Sequence, residues 1–161
     1  MVLLHGATVV PGTVLGIATG RETRGHRVHG EARMALDTAA AYEALLLERG
    51  SVVADYDARK QSIARQVHAR AAELGGVAVV DDGLLEEVCS LVEWPRALAG
   101  RFEKRFLAVP AEALISSMKQ HQKYFHVTAA DGALLPCGAR GIGDAVVGRA
   151  GGRPPVATAL P

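Results

Sequence analysis

Between Asp57 and Leu74 the apolar residues Ile63, Val67, Ala71 and Leu74 recur at steps of four, four and three, while Arg59, Lys60, Arg65, Arg70 and Glu73 fall elsewhere on the same stretch. That spacing predicts a helix with one apolar face, and such a face is stable only when another layer covers it. Gly75 and Gly76 end the helix, and "VAVV" at 77–80 follows at once as a short buried strand. "DDGLLEEVCSLVE" predicts a second helix, capped by Asp81 or Asp82, with Leu84, Leu85, Val88 and Val92 in a stripe and Trp94-Pro95 beyond its end. With one Trp, three Tyr and three Phe in 161 residues, the core must be built largely from Leu, Val and Ala. The length suits one domain with a core of its own.

The remaining elements are shorter. "MVLLH", "TVLGIATG" and "HRVHG" read as small strands separated by Gly6, Pro11, Gly12 and a glycine-bounded loop. Asp37 is placed to cap a helix carrying Tyr42, Leu45 and Leu46, with Gly50 at its C-terminal end, and "SVVADY" reads as a strand. "RALAGRF" reads as extended, and "PAEALISSMKQHQ" as a helix with Pro110 at its first position. "KYFHVTAADGALLP" reads as a hairpin turning at Asp131-Gly132. Strands and three to four helices mixed without strict βαβ alternation make the expected fold class α+β, with some α/β character. From Cys137 onward glycine and proline displace any apolar period, so a domain over 1–136 and a weakly ordered or aberrant tail over 137–161 are expected. "GIGDAVVG" in that tail matches neither GxGxxG nor the P-loop pattern.

Overall charge is uninformative, because 18 basic and 17 acidic residues leave a formal charge of +1. Cys89 and Cys137 lie far apart and form no metal-binding pair, which fits a reducing cytoplasm. The apolar N-terminus has no basic segment of the kind a signal peptide carries, and no apolar run is long enough to span a bilayer.

Charge is informative where it clusters. "GRETRGHRVHG" at 20–30 gathers Arg21, Arg24, His26 and Arg27 with His29 close behind. A solvated turn and a loop that meets phosphate both fit it, and so does a structural role in which Arg24 and His26 bond neighbouring carbonyls. "SSMKQHQKYFH" at 116–126 runs Lys119, Gln120, His121, Gln122 and Lys123 out of a helix into Tyr124 and Phe125. Lysines suit phosphate, amides suit ribose and base edges, and an aromatic can stack on an unpaired base. Cations also favour helix C-termini, and the aromatics also suit a core. Ser116 or Ser117 near His121 is a common chance pairing without an orienting carboxylate, and the histidines lack further ligands at metal-binding spacing. No catalytic and no metal-ligating residue is therefore assigned.

Three ordered stretches carry a resemblance: "VLGIATGRETRGHRVHG", "LLEEVCSLVEWPRALAGRFEKRFLAVPAEALISSMKQHQKYFHV" and "DGALLP". Together they resemble the beta subunit of the bacterial two-subunit glycyl-tRNA synthetase, with Gly20, Thr23, Arg24, Gly25 and His26 similar to its G-x-x-TRGHR loop. The resemblance implies part of an ATP-dependent ligase that joins glycine to its tRNA. In that family a class II alpha subunit performs the chemistry with ATP and Mg2+, and beta supplies tRNA contacts and assembly in a heterotetramer. It implies a module similar to the B3/B4-type domain of the phenylalanyl enzyme, used there for hydrolytic editing, so editing is the rival expectation. Glycine, the smallest amino acid, is protected from larger ones by steric exclusion, which removes most of the need to edit. The expected RNA contacts are Arg21, Thr23, Arg24, His26, Arg27, Lys119, His121, Gln122 and Lys123, with no cofactor held by these residues. The family's HD-type and anticodon-binding domains have no counterpart in this sequence, which reads as a truncated or frameshifted form or an inactive orphan fragment.

Overall fold

The computed structural model describes residues 1–142. Six two-residue strands open the chain: β1 Leu4–His5, β2 Thr8–Val9, β3 Thr13–Val14, β4 Ile17–Ala18, β5 Glu22–Thr23 and β6 Met34–Ala35, paired antiparallel in that order. Helix α1 (Tyr42–Glu48) and helix α2 (Tyr56–Glu73) follow, then β7 (Val77–Ala78), α3 (Asp82–Leu91) and β8 (Arg96–Arg101). Helix α4 (Ala111–Ser117) runs into a π turn at Met118–Gln122, and a hairpin of β9 (Tyr124–Thr128) and β10 (Leu134–Ile142) closes the fold. Four helices against several antiparallel sheets make a mixed α+β fold among the described residues.

The central sheet has the order β7-β9-β10-β8 and is antiparallel throughout. Ala78, Ala97, Phe125, Val127, Cys137 and Ala139 form a cluster with Ile63, Val67 and Ala71 of α2 and with Leu84, Leu85, Val88 and Cys89 of α3. Both helices start as their sequences dictate. The Asp55 carboxylate accepts from the Ala58 N–H at 2.6 Å, and that of Asp81 accepts from the Leu84 N–H at 2.9 Å. At the far end of α2, Gly75 takes φ +82° and the Gly76 N–H donates back to the Ala71 carbonyl at 3.1 Å. Gly76 also has to be bare, because a Cβ there would lie 2.5 Å from Val127 Cγ1 and 2.6 Å from the Thr128 carbonyl oxygen.

Several local expectations are corrected. Residues 51–55 are not a strand: the Val52 N–H donates to Leu46, that of Val53 to Glu93, and the Arg59 guanidinium takes the Val53 and Ala54 carbonyls. With its polar groups thus committed, the segment has no ladder to join. "TVLGIATG" is a hairpin rather than one strand, with Leu15 and Gly16 both at positive φ. "VAVV" is a strand only at Val77 and Ala78, with the Val79 N–H still donating to the His126 carbonyl at 3.0 Å, and of the first three residues Ala78 alone is buried. Asp37 caps nothing, because a 3-10 turn at Ala39–Ala41 precedes α1 and neither has a side-chain cap. Pro110 lies one position outside α4, as its N-cap. "HRVHG" is a turn and a bend, not a strand.

The largest correction falls on the boundary expected at 136/137. Residues 137–142 are the second half of β10, registered on β8 from Cys137↔Arg101 to Ile142↔Arg96. Cys137 and Ala139 point into the core, where burial pushes the Cys137 thiol pKa up. Strands with alanine, cysteine and glycine on their buried side show no apolar period, and the sequence pattern misses them for that reason. The rest of the expected tail, from residue 143 onward, lies outside the described residues; of "GIGDAVVG" only Gly141 and Ile142 are described, in β10. Phe125 is the bulkiest of the fully buried side chains. Its replacement by Ala should lower the unfolding free energy by about 3–5 kcal/mol in chemical denaturation, with secondary structure retained.

Candidate nucleic-acid interface

The loop at 20–30 is held by its backbone. The His26 N–H donates to the Gly50 carbonyl at 2.7 Å, its carbonyl accepts from Gly30 at 2.9 Å, and its Nδ1 accepts from the Val28 and Val28-adjacent His29 N–H groups at 3.2 Å each. The His26 ring is buried and stacks on the His29 ring at 4.9 Å. A Cβ on Gly30 would lie 2.0 Å from the Gly50 carbonyl oxygen, and one on Gly25 would lie 2.5 Å from Gly50 Cα. Backbone therefore meets backbone, which sterically forbids any other residue there. The turn is clasped to the end of α1, and Arg49 locks the clasp with a two-pronged contact to Glu31 at 2.8 and 2.6 Å. That contact holds the Glu31 carboxyl below its ordinary pKa.

The cations of this loop divide by role. Arg21 is structural: its guanidinium donates to the Leu36 carbonyl and to the Ala7 carbonyl, both at 3.1 Å, tying β5 and its neighbours to the opening hairpin. Thr23 sits in the β5–β6 ladder opposite Met34. Arg24 and Arg27 are exposed, and neither carries an ion pair among the described residues.

The second cluster divides in the same way. Lys119 pairs with Asp81, the α3 cap, at 2.9 Å, and Lys123 pairs with Glu87 at 2.6 Å. The Lys119 ammonium and then the Leu84 N–H hold the Asp81 carboxyl below its usual pKa. Lys123 ends the π turn in the left-handed region at φ +55°, ψ +41°. His121 is exposed, Gln122 is partly buried, and no hydrogen bond joins His121 to Ser116 or Ser117 among the described residues. Among those residues no group of three or more His, Cys, Asp and Glu gathers to hold a metal, and no helix is long and apolar enough to cross a membrane.

Three residues of the two clusters converge. His26, Arg27 and Lys123 line one cleft of about 460 Å³, together with Arg140, Ser90 and Glu93. Arg140 is the residue the sequence reading missed, because it lies in the stretch expected to be a tail. It stands opposite Tyr124 in the β9–β10 ladder with its guanidinium 5.8 Å from the ring centre. Arg21, Thr23, Arg24, Lys119, His121 and Gln122 do not line this cleft. Among the described residues Arg27, Lys123 and Arg140 face Glu93, and with Lys123 already paired to Glu87 the cleft keeps a small positive excess suited to a phosphate backbone.

Over residues 1–137 the sequence matches the family described as glycyl-tRNA synthetase beta subunit. The chain belongs to the glycyl-tRNA synthetase beta subunit family. The glycine–tRNA ligase beta subunit of Edwardsiella ictaluri (strain 93-146) is 58% identical over 134 residues, which are 83% of this chain and 19% of that protein. That of Serratia proteamaculans (strain 568) is 54% identical over the same shares. The chain thus spans about a fifth of the length of these glycyl-tRNA synthetase relatives, each covered to 19%. The family match takes in both basic clusters and ends at the middle of β10.

Two outcomes follow from this geometry. Gly30→Ala should cost about 1–3 kcal/mol, as forced overpacking does, and should speed amide exchange at His26 and Gly30 before the central sheet is affected. His126, beside Lys119 on β9, has its pKa lowered first by burial and then by the Lys119 charge. An imidazole held below its unfolded pKa contributes stability that is full above about pH 6.5 and is lost as pH falls through the folded value. His126→Gln should therefore flatten the fall in unfolding free energy as pH drops below about 6.5, read by denaturant titration at each pH.

Proposed function

We propose that this chain is the part of a glycine–tRNA ligase beta subunit that contacts glycine tRNA and supports assembly, while a separate alpha subunit performs the ATP- and Mg2+-dependent chemistry. The convergence of Arg27, Lys123 and Arg140 beside His26 carries the reading. These residues come from a turn, a π-turn end and a sheet strand, far apart in sequence, and form a single positive cleft within a chain of nearly balanced charge. Phosphate contacts need no more than that: positioned cations whose counterions are released on binding. The relatives' name supplies the tRNA and the ligase reaction. The working assembly is a cytoplasmic heterotetramer of alpha and beta subunits. Steric exclusion at a glycine site leaves hydrolytic editing with little to do.

The test is tRNA binding against salt concentration, in the assembly of this chain with the alpha subunit. Arg27→Ala and Arg140→Ala should each weaken affinity for glycine tRNA and reduce the slope of log K against log salt by about 0.9 per lost contact. Lys123→Ala should act less, because Glu87 already neutralises part of its charge. Unchanged affinity and slope in all three variants would overturn the reading. Release of alanine or serine from mischarged glycine tRNA by this chain would instead establish editing.

A further inference from the structure

A second cleft, of about 860 Å³, lies where α2, β8 and the loops at His29 and Ser51 meet. Its lining joins Trp94, Arg96, Arg70, Gln66, His29 and Ser51, with the apolar residues that follow Arg96 on β8. Among the described residues no acidic side chain lines it, and of the two basic clusters of the sequence only the first reaches it, through His29. The Arg96 guanidinium lies 5.0 Å from the centre of the Trp94 ring, a stacked cation–π pair.

That pair is pre-set by a clamp from α2. The Gln66 side chain donates to the Pro95 carbonyl at 3.1 Å and accepts from the Ala97 N–H at 3.0 Å. It therefore grips the backbone on both sides of the exposed Arg96, at the buried Pro95 and the buried Ala97. Arg70 stands one helical turn beyond Gln66 and so rises beside the same strand. It bonds Glu73 at 2.7 Å, but both side chains are about half exposed, at 44% and 56%, and such a pair is weak and readily exchanged for phosphate. On the opposite side the Ser51 hydroxyl holds the His29 carbonyl at 3.2 Å, which fixes the loop that carries the His29 ring.

We infer that this cleft is a subsite for one unpaired nucleotide of RNA, its base stacked on the Trp94–Arg96 pair and its phosphate facing Arg70 and His29. The inference rests on the RNA-binding reading above and adds a second point of contact with different chemistry. A planar apolar ring edged by cations selects a ligand that is flat at one end and anionic at the other. Base–aromatic stacking is indifferent to sequence and needs a base free of its partner, so single strands fit and duplexes do not. An acidic peptide would satisfy the cations and leave the indole face without a partner.

Trp94 is the single tryptophan of the chain, so its fluorescence reports on this cleft alone. The full 161-residue chain is titrated with a short single-stranded oligoribonucleotide, the same RNA as a duplex, inorganic polyphosphate and polyglutamate. The single strand should quench Trp94, and the other three should leave it near its starting intensity. Arg96→Gln, an exposed change that keeps the fold, should weaken the quenching curve about fivefold or more, the loss expected from removing one stacking partner. Trp94→Phe should retain binding of a fluorescently labelled single strand, read by anisotropy, while the intrinsic signal vanishes. Anisotropy showing single-strand binding without quenching overturns the subsite and leaves the RNA-binding reading standing. Equal quenching by duplex or polyphosphate shows a site for phosphate alone, and quenching by polyglutamate shows a protein partner, each of which also overturns it. If no RNA binds in either readout, subsite and RNA-binding reading fall together.

Discussion

The structure depends on how closely two helices approach a sheet whose buried side is mostly small. Ala78, Ala97, Cys137 and Ala139 leave room for Ile63, Val67 and Ala71 from α2 and for Leu84, Leu85 and Val88 from α3. Gly141 takes this furthest, since a Cβ there would stand 3.0 Å from Val88 Cγ1. A chain so poor in aromatics cannot fill a wide gap between layers, so it narrows the gap instead. Phe125 and Val127 on β9 are the exceptions that give this core its bulk.

Close layers also decide where cations go. Lys119 and Lys123 emerge above α3 and find Asp81 and Glu87 there, while Arg59 is drawn across the end of α3 to the Cys89 carbonyl at 3.1 Å. Positive residues that read alike in sequence thus separate into three kinds. Some hold backbone carbonyls, some meet carboxylates, and Arg24 and Arg27 remain toward solvent. Of these, the last kind and the exposed pairs are the ones free enough to meet the phosphate of the proposed function.

The sequence made legible what is locally determined. Helices α2 and α3 show in their stripes and α3 also in the capping carboxylate of Asp81, whereas the Asp55 cap of α2 was hidden inside a segment that reads as a strand; the last hairpin shows in Asp131-Gly132, where Gly132 takes φ +86°. The family showed in ordered motifs over most of the chain. What was illegible depends on distant partners. "HRVHG" has the composition of a strand, and only the meeting of Gly25 and Gly30 with Gly50 makes it a turn. "SVVADY" has the β-branched residues of a strand, yet Arg59 and Glu93 claim its polar groups. Arg140 was hidden because β10 buries residues too small to mark a period. Of the nine residues expected at RNA, three line the cleft, because a shared sequence cluster does not fix a shared direction.

Lys123 has a backbone better suited to glycine. Its left-handed conformation costs a residue with a Cβ about 1 kcal/mol or more, and a helix end is where glycine ordinarily relieves that cost. Glycine would ease the turn from the π segment into β9, but it would leave Glu87 without its partner and the cleft beside Arg140 without a cation. The strained turn aims an ammonium group at that point, so the position trades conformational ease for directed charge. At residue 123 the backbone bends so that a proton-bearing nitrogen is delivered to one place.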